Sequence, residues 1–198
     1  ILHIFSKNPL PVLQKEILKS GNVVLSSLAG SLNERSGSFD TDSLSFPSPK
    51  LLDEKISTGH INFMRDYGIE IPLEIKNQSL KEEAFSLKLS GNKQDYPAKI
   101  KINFISSWKK FANYSLVEFF QLVRSKDFFL KSFKGKTVLV GISDPQLSSV
   151  FTSDFDQQLP GVALHAFALD NLMNNRYLNN HYYFISAIIL VLTCLLIL

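Results

Sequence analysis

Residues 133–144 read Phe-Lys-Gly-Lys-Thr-Val-Leu-Val-Gly-Ile-Ser-Asp, and residues 160–173 read Pro-Gly-Val-Ala-Leu-His-Ala-Phe-Ala-Leu-Asp-Asn-Leu-Met. The continuous apolar run Thr137–Gly141 is typical of a strand that is buried on both faces of a sheet. The second stretch has apolar residues at helical spacing and predicts a helix over Val162–Asn175. A buried strand followed by an amphipathic helix is the building unit of α/β folds.

The same alternation of strands and helices is predicted upstream. Helices are predicted over Pro9–Ser20, from the capping-box sequence Ser79–Glu82 to Leu89, and from a second one, Ser115–Glu118, to Ser125. Strands are predicted over Asn22–Leu28, His60–Met64, Glu70–Ile75 and Ile100–Ile105, with residues 30–50 as a surface loop. We therefore predict a layered α/β domain with a largely parallel sheet flanked by helices.

The composition restricts the class of protein. The chain has 198 residues, of which 45% are hydrophobic and 20% charged, as expected for one folded domain with a sizeable core. Its net charge is only +3 and no dense basic block occurs, which argues against a nucleic-acid partner. The single cysteine, Cys194, excludes an internal disulfide and fits a reducing compartment or a bacterial envelope protein without bridges.

Features at both ends of the sequence indicate that the chain is a fragment of a longer protein. It begins at Ile1 without an initiator methionine or a visible signal peptide. From Phe184 to Leu198 no residue is charged, and the run is apolar on all faces of a helix. Fifteen helical residues reach only about 22 Å, so a buried core helix is the alternative to a truncated membrane span. We predict a domain over residues 1–180 and the start of a transmembrane helix over residues 182–198.

The flank of this predicted span indicates its orientation. Between Gly161 and Tyr183 only Arg176 carries a positive charge. Cytoplasmic flanks of membrane spans are normally richer in lysine and arginine. Tyr182 and Tyr183 lie where interfacial aromatic residues are expected. The domain is therefore predicted to lie outside the cytoplasmic membrane.

Gly135-Lys136-Thr137 has the letters that end a phosphate-binding P-loop, but its context does not fit. The P-loop requires a glycine five positions before Gly135, where this chain has Leu130. It also follows a strand, whereas this tripeptide precedes one. The tripeptide is instead predicted to form a tight turn that leads into the strand.

Three acidic residues, Asp144, Asp154 and Asp156, follow the predicted strand in one loop. Oxygen ligands in a loop could hold a hard cation, but their spacing matches no EF-hand, and a solvated turn is the simpler interpretation. The four histidines are scattered, and no nucleophile–base arrangement is visible. We predict no catalytic residue, no metal site and no cofactor.

The two stretches quoted first resemble the CHASE type 2 family, the cyclases/histidine kinases associated sensory extracellular domains. The resemblance rests on a Gly-Lys-x-Val-Leu-x-Gly strand, here Gly135 to Gly141, and on a Pro-Gly-Val-x-x-His-Ala helix, here Pro160 to Ala166. Lys101-Ile102-Asn103-Phe104, Gly21–Leu25 and Gly59-His60-Ile61-Asn62 resemble other family segments less specifically. The resemblance covers nearly the whole chain, and its last third is the diagnostic part.

The resemblance also suggests site residues. Relatives often carry acids at two positions where this chain has Ser149 and Ala163. The ligand-binding candidates are Asp144, Ser149, Asp154 and His165, and the structural motif residues are Gly135, Lys136, Gly141, Pro160 and Gly161.

The implied function is that of an extracytoplasmic sensory domain of a bacterial inner-membrane receptor. In relatives the cytoplasmic output is a class III nucleotide cyclase, a histidine kinase, a serine/threonine kinase or a diguanylate cyclase. The implied partners are a small-molecule or envelope signal, the membrane and a second copy of the receptor, with no nucleic acid. Two alternatives remain open: a membrane-anchored α/β envelope enzyme, and a structural envelope protein.

Overall fold

The computed structural model describes residues 11–48, 51, 53, 55–65, 68–92, 94–125, 128–178 and 188–190. The helices are α1 (Pro11–Ser20), α2 (Phe85–Ser90), α3 (Leu116–Arg124) and α4 (Gly161–Met173), with 3₁₀ turns at Trp108–Lys110 and Phe128–Phe133. The first strands are β1 (Val24–Ala29), β2 (Leu32–Arg35), β3 (Ser38–Thr41), β4 (Leu44–Ser45), β5 (Ser57–His60) and β6 (Met64–Arg65). They are followed by β7 (Ile69–Pro72), β8 (Glu74–Asn77), β9 (Leu80–Glu83), β10 (Lys99–Lys101), β11 (Val150–Phe151) and β12 (Leu159–Pro160).

The strands form four small sheets, which corrects the predicted sheet type. Their orders are β4-β1-β5, β2-β3-β8-β9, β10-β7-β6 and β11-β12. Among the described strands, only the pairs β1–β5 and β3–β8 are parallel, and the other pairs are antiparallel. The α/β class is confirmed, but the prediction of a largely parallel sheet is wrong. Short connections explain the antiparallel pairs β2–β3, β6–β7 and β8–β9, because a tight turn can join only antiparallel neighbours.

The largest apolar cluster of the described residues lies under α4. One face of α4 packs against β7, β10 and the start of α2, and buries Leu164, Phe167, Ala168 and Leu172. Asn171, at the polar edge of this face, accepts a hydrogen bond from the Asn103 amide (2.7 Å) and donates one to the Asn103 carbonyl (3.1 Å). The predicted helix Val162–Asn175 is thereby confirmed, and it is the most deeply packed element.

Several local predictions are confirmed. Helix α1 and strand β1 lie where the sequence places them. The second capping box forms as predicted, because Ser115 Oγ accepts from the Glu118 amide (3.2 Å) and Glu118 Oε2 accepts from the Ser115 amide (2.7 Å). These hydrogen bonds lower the pKa of Glu118. Gly135 has a φ of +72° in the turn before Lys136, as the predicted tight turn requires.

Two predicted elements are replaced by strands. Residues 30–50 were predicted as a loop, but they contain β2, β3 and β4. The prediction of a capping box at Ser79–Glu82 is also wrong. Leu80–Glu83 pairs with β8 as strand β9, and the helix begins only at Phe85. Glu82 is buried and accepts a hydrogen bond from Ser27 Oγ (2.6 Å), so its carboxylate is not available to cap a helix.

The predicted strand Thr137–Gly141 does not form in the described structure. Residues 136–144 form neither helix nor strand and join no described sheet, and Val138, Val140 and Ile142 are about half exposed. A segment with the composition of a buried strand therefore lies on the surface.

The predicted membrane span falls mostly outside the described residues. Residues 188–190 are helical, and the rest of the run from Phe184 is not described. Within the described part of the chain, no helix is long and apolar enough to cross a membrane. The partial span over residues 182–198 thus stays a prediction.

The Pro160-Gly161 motif has a different structural role from the one that its sequence suggests. A proline-glycine pair before a helix suggests a turn that only glycine tolerates, but Gly161 has no positive φ. A Cβ at Gly161 would meet only ordinary contacts of 3.7 Å. Gly59 is constrained by backbone, because a Cβ there would lie 2.6 Å from Phe85 Cα and 2.9 Å from the Phe85 amide nitrogen.

We expect Gly59→Ala to lower the free energy of unfolding by roughly 1–3 kcal/mol, since β5 and the start of α2 would have to move apart. Gly161→Ala is the matched control and should leave the free energy of unfolding within about 0.5 kcal/mol of the wild type. Urea denaturation of the purified chain measures both. Equal loss in the two variants would contradict the close approach at Gly59.

Candidate functional site

A groove lies at the carboxyl ends of the parallel strands β1 and β5. In the register of this pair Ser27 is opposite His60, and the two chains leave the sheet together at Gly30 and Asn62. The groove has a volume of about 410 Å³ and is lined by Gly30, Leu32, Glu34, Asn62, Phe63 and Met64. Ligands in α/β proteins favour this position, since the side chains that follow neighbouring parallel strands converge there.

Asn62 fixes the floor of the groove. Its side-chain oxygen accepts a hydrogen bond from the Ala29 amide (2.8 Å), and its side-chain nitrogen donates to the Ala29 carbonyl (2.9 Å). The side chain thus continues the pairing of β1 and β5 by one step beyond the sheet. Through these two hydrogen bonds to Ala29, Asn62 holds the floor of the groove against β1, and one N–H donor and one lone pair of its amide remain unused by them.

Phe63 connects the groove to α4. Its ring lies 4.7 Å from the His165 ring and 5.4 Å from the Phe151 ring. His165 is only 2% exposed and also contacts the Phe85 ring at 5.7 Å. Such aromatic packing transmits small displacements, because a close-packed core has no free volume to absorb them. Phe63 therefore links the groove wall directly to helix α4.

An ion-pair chain lies at the open edge of the groove. Lys99 Nζ lies 3.0 Å from Glu34 Oε2 and 3.0 Å from Glu70 Oε2. Partial burial lowers the pKa of Lys99, but the hydrogen bonds and charges of both glutamates outweigh it, and the net effect raises the pKa. The buried Glu70 holds Lys99 from inside, and the more exposed Glu34 faces the groove. Two carboxylates share one ammonium group, so these three side chains together carry a net negative charge.

Behind the groove, the interior between β1, β5, β9 and α2 is polar. Ser26, Ser27, His60, Glu82 and Ser86 are all buried there. Ser27 is paired with Glu82, while the hydroxyls of Ser26 and Ser86 have no hydrogen-bond partner among the described residues. Burial lowers the pKa of His60 to about 4, and a contact with the Pro72 carbonyl offsets this only in part. His60 is therefore neutral at pH 7.

The predicted ligand-binding residues do not form one cluster. Asp144 is exposed and accepts a hydrogen bond from the Gln146 amide (2.8 Å) within its own turn. Ser149 and Asp154 are exposed at opposite ends of the β11–β12 hairpin. His165 is buried inside the core beside Phe63. Their shared role in ligand binding stays a prediction, and His165 contacts Phe63, a residue that lines the groove.

The third loop carboxylate, Asp156, has a structural role. It accepts hydrogen bonds from Ser107 Oγ (2.7 Å) and from the Trp108 amide (2.9 Å), which joins the hairpin loop to the 3₁₀ turn. Among the described residues, no three His, Cys, Asp or Glu side chains are grouped so as to hold a metal ion.

Sequence reasoning missed the groove residues Glu34, Asn62 and Phe63. The region of Glu34 was predicted as loop, so its place on β2 beside β3 was not foreseen. The segment Gly59–Asn62 did carry a signal, since it ends a strand with a polar residue. Its significance depends on β1 lying parallel beside it, which no local pattern reveals.

Comparison with family profiles identifies one match, the CHASE2 domain, over residues 12–198. Since this covers nearly the whole chain, the protein belongs to the CHASE2 family of sensory extracellular domains, and the resemblance noted in the sequence is confirmed. Comparison with curated proteins and with solved structures gives no significant match.

The buried His60 predicts a pH-dependent stability. The unfolded chain protonates this histidine near pH 6.5, whereas the folded chain does so only near pH 4. Its contribution is therefore fully present above pH 6.5 and is lost progressively down to about pH 4, by about 3 kcal/mol in total.

We expect His60→Gln to flatten this part of the pH profile, measured as the difference in unfolding free energy between pH 7 and pH 4.5. Other titrating groups are common to both chains and cancel in the comparison. Parallel profiles of wild type and variant would show that His60 is not the group responsible.

Proposed function

Since the chain belongs to a family of sensory extracellular domains, we propose that it is the extracytoplasmic sensor of a bacterial inner-membrane receptor, with the groove at the ends of β1 and β5 as its ligand site. The observation that carries the proposal is the contact of Phe63 with both the groove and His165 of α4. A ligand that binds one position of Phe63 better than another shifts the equilibrium between two positions of α4.

Helix α4 is the element through which the signal leaves the domain. It ends at Met173, and the predicted span starts at about residue 182, so only a short link separates them. In the full receptor the helix position would then bias a cytoplasmic output, which in relatives is a nucleotide cyclase or a kinase. The evidence for coupling is a chain of packed contacts, namely groove, Phe63, His165 and α4.

The charge at the groove edge favours a small ligand with a positive charge or hydrogen-bond donors. Glu34 and Glu70 share Lys99, which leaves one net negative charge, and Glu34 is the member that lines the groove. A cation here gains electrostatic energy without displacing Lys99 from the buried Glu70.

The groove can be tested without knowledge of the ligand. In full-length receptor carrying Cys194→Ser, Leu32→Cys is treated with the cationic reagent 2-(trimethylammonium)ethyl methanethiosulfonate, which fills the groove covalently. Asn33→Cys is the matched control, because Asn33 is the next residue of β2 and does not line the groove. We expect at least a twofold change of output activity for Leu32→Cys and none for Asn33→Cys. Equal responses would contradict the site.

The orientation of the domain is tested separately. Cysteine at the exposed positions Ser36 or Asn92, in the Cys194→Ser background, should react with a membrane-impermeant maleimide on intact spheroplasts. We expect the same extent of labelling before and after lysis. Labelling that requires lysis would place the domain in the cytoplasm and overturn the receptor topology.

A further inference from the structure

The segment Lys136–Asp144 has the sequence of a strand, but it joins none of the sheets formed by the described residues. From Thr137 to Ser143 no backbone group hydrogen-bonds to another described residue. Val138, Val140 and Ile142, which alternate along the segment, are 53%, 52% and 49% exposed. In a strand alternate side chains share one face, so pairing of this segment would align these three in one continuous apolar stripe. An unpaired strand with an apolar face is a template for pairing with another strand.

The sequence of this segment is complementary to itself in antiparallel register. With a two-fold axis at Val140, Lys136 lies opposite Asp144 of the second copy, and Val138 lies opposite its Ile142. Leu139 lies opposite Gly141, so a large side chain faces an empty position, and Thr137 lies opposite Ser143. Opposite charges and apolar pairs across strands each stabilise a sheet, by roughly 0.2–1 kcal/mol. This register places an ion pair at both ends of the apolar stripe.

We propose that two copies of this chain pair through Lys136–Asp144 and form an antiparallel two-stranded ribbon about a two-fold axis at Val140. Such an interface is isologous, so each favourable contact occurs twice and the assembly closes as a dimer. Helix α3 lies near this segment, because the ring of Phe119 in α3 packs 6.0 Å from the ring of Phe133, just before the segment. The exposed apolar side chains of α3 therefore add to the apolar surface next to Lys136–Asp144. Leu116, Val117 and Phe120 of this helix are more than half exposed.

Disulfide cross-linking tests the register directly. In a Cys194→Ser background, Val140→Cys places two thiols opposite each other at the two-fold axis, within the range that a disulfide can bridge. Val138→Cys is the matched control, because Val138 is equally exposed but lies four residues, or roughly 14 Å, from its copy. Under mild oxidation we expect Val140→Cys to form a covalent dimer at least tenfold faster. Equal rates, or no dimer from either, would overturn the proposal.

Charge exchange tests the end pairs without touching the apolar stripe. Lys136→Asp and Asp144→Lys each place like charges opposite each other, so each should raise the dimer dissociation constant several-fold in sedimentation equilibrium of the purified chain. The double variant restores opposite charges and should return the constant to within twofold of wild type. Both positions are exposed, so folding is not at risk, and circular dichroism verifies it. A wild-type chain that stays monomeric at every concentration, or single variants without effect, would refute the pairing.

Discussion

The burial of α4 is the constraint on which the other parts of the domain depend. Eight of its residues are buried, and its apolar face forms the centre of the largest cluster, together with strands β7 and β10. Each large apolar side chain that is fully buried contributes roughly 1.5–3 kcal/mol. Apolar packing is non-directional, but the two hydrogen bonds between the Asn171 side chain and the Asn103 backbone fix the position of α4 along the chain that follows β10. Any other position would leave the buried Asn171 amide unpaired, which costs free energy. The position of His165, which contacts Phe63 of the groove, follows from the placement of this helix.

The described structure contrasts a well-packed part with a weakly packed one. Around α4 the side chains are enclosed, whereas α3 has no buried residue and is held mainly by its own capping box and by contacts with Phe133. Segments with few buried contacts open at a lower free energy than the core does. The groove lies against the well-packed part, while many of the exposed large apolar side chains of the described residues lie between residues 111 and 149.

Local sequence patterns predicted the elements that are stabilised by neighbouring residues. They failed where a residue distant in sequence determines the local structure. The capping box at Ser115 forms because its two partners lie within one helical turn. An identical spacing at Ser79 fails, since Glu82 is engaged by Ser27, which lies 55 residues away. Helix α4 was predicted from its apolar periodicity, but the apolar run at Thr137 predicted a buried strand that the described sheets do not include. The groove was not predictable, because Asn62 meets Ala29 only through a parallel pairing of distant segments.

The direct passage of β12 into α4 has a mechanical consequence. No loop separates Pro160 from Gly161, and the first free amide of the helix, that of Gly161, donates to the Ser149 carbonyl beside the hairpin (3.2 Å). No flexible linker therefore lies between the hairpin and the helix. Asp156, in the hairpin loop, accepts a hydrogen bond from the Trp108 amide, so the 3₁₀ turn is connected through this hairpin to the start of α4. Any change in the position of the hairpin loop must consequently be accommodated by the packing of α4, because no intervening loop can absorb it.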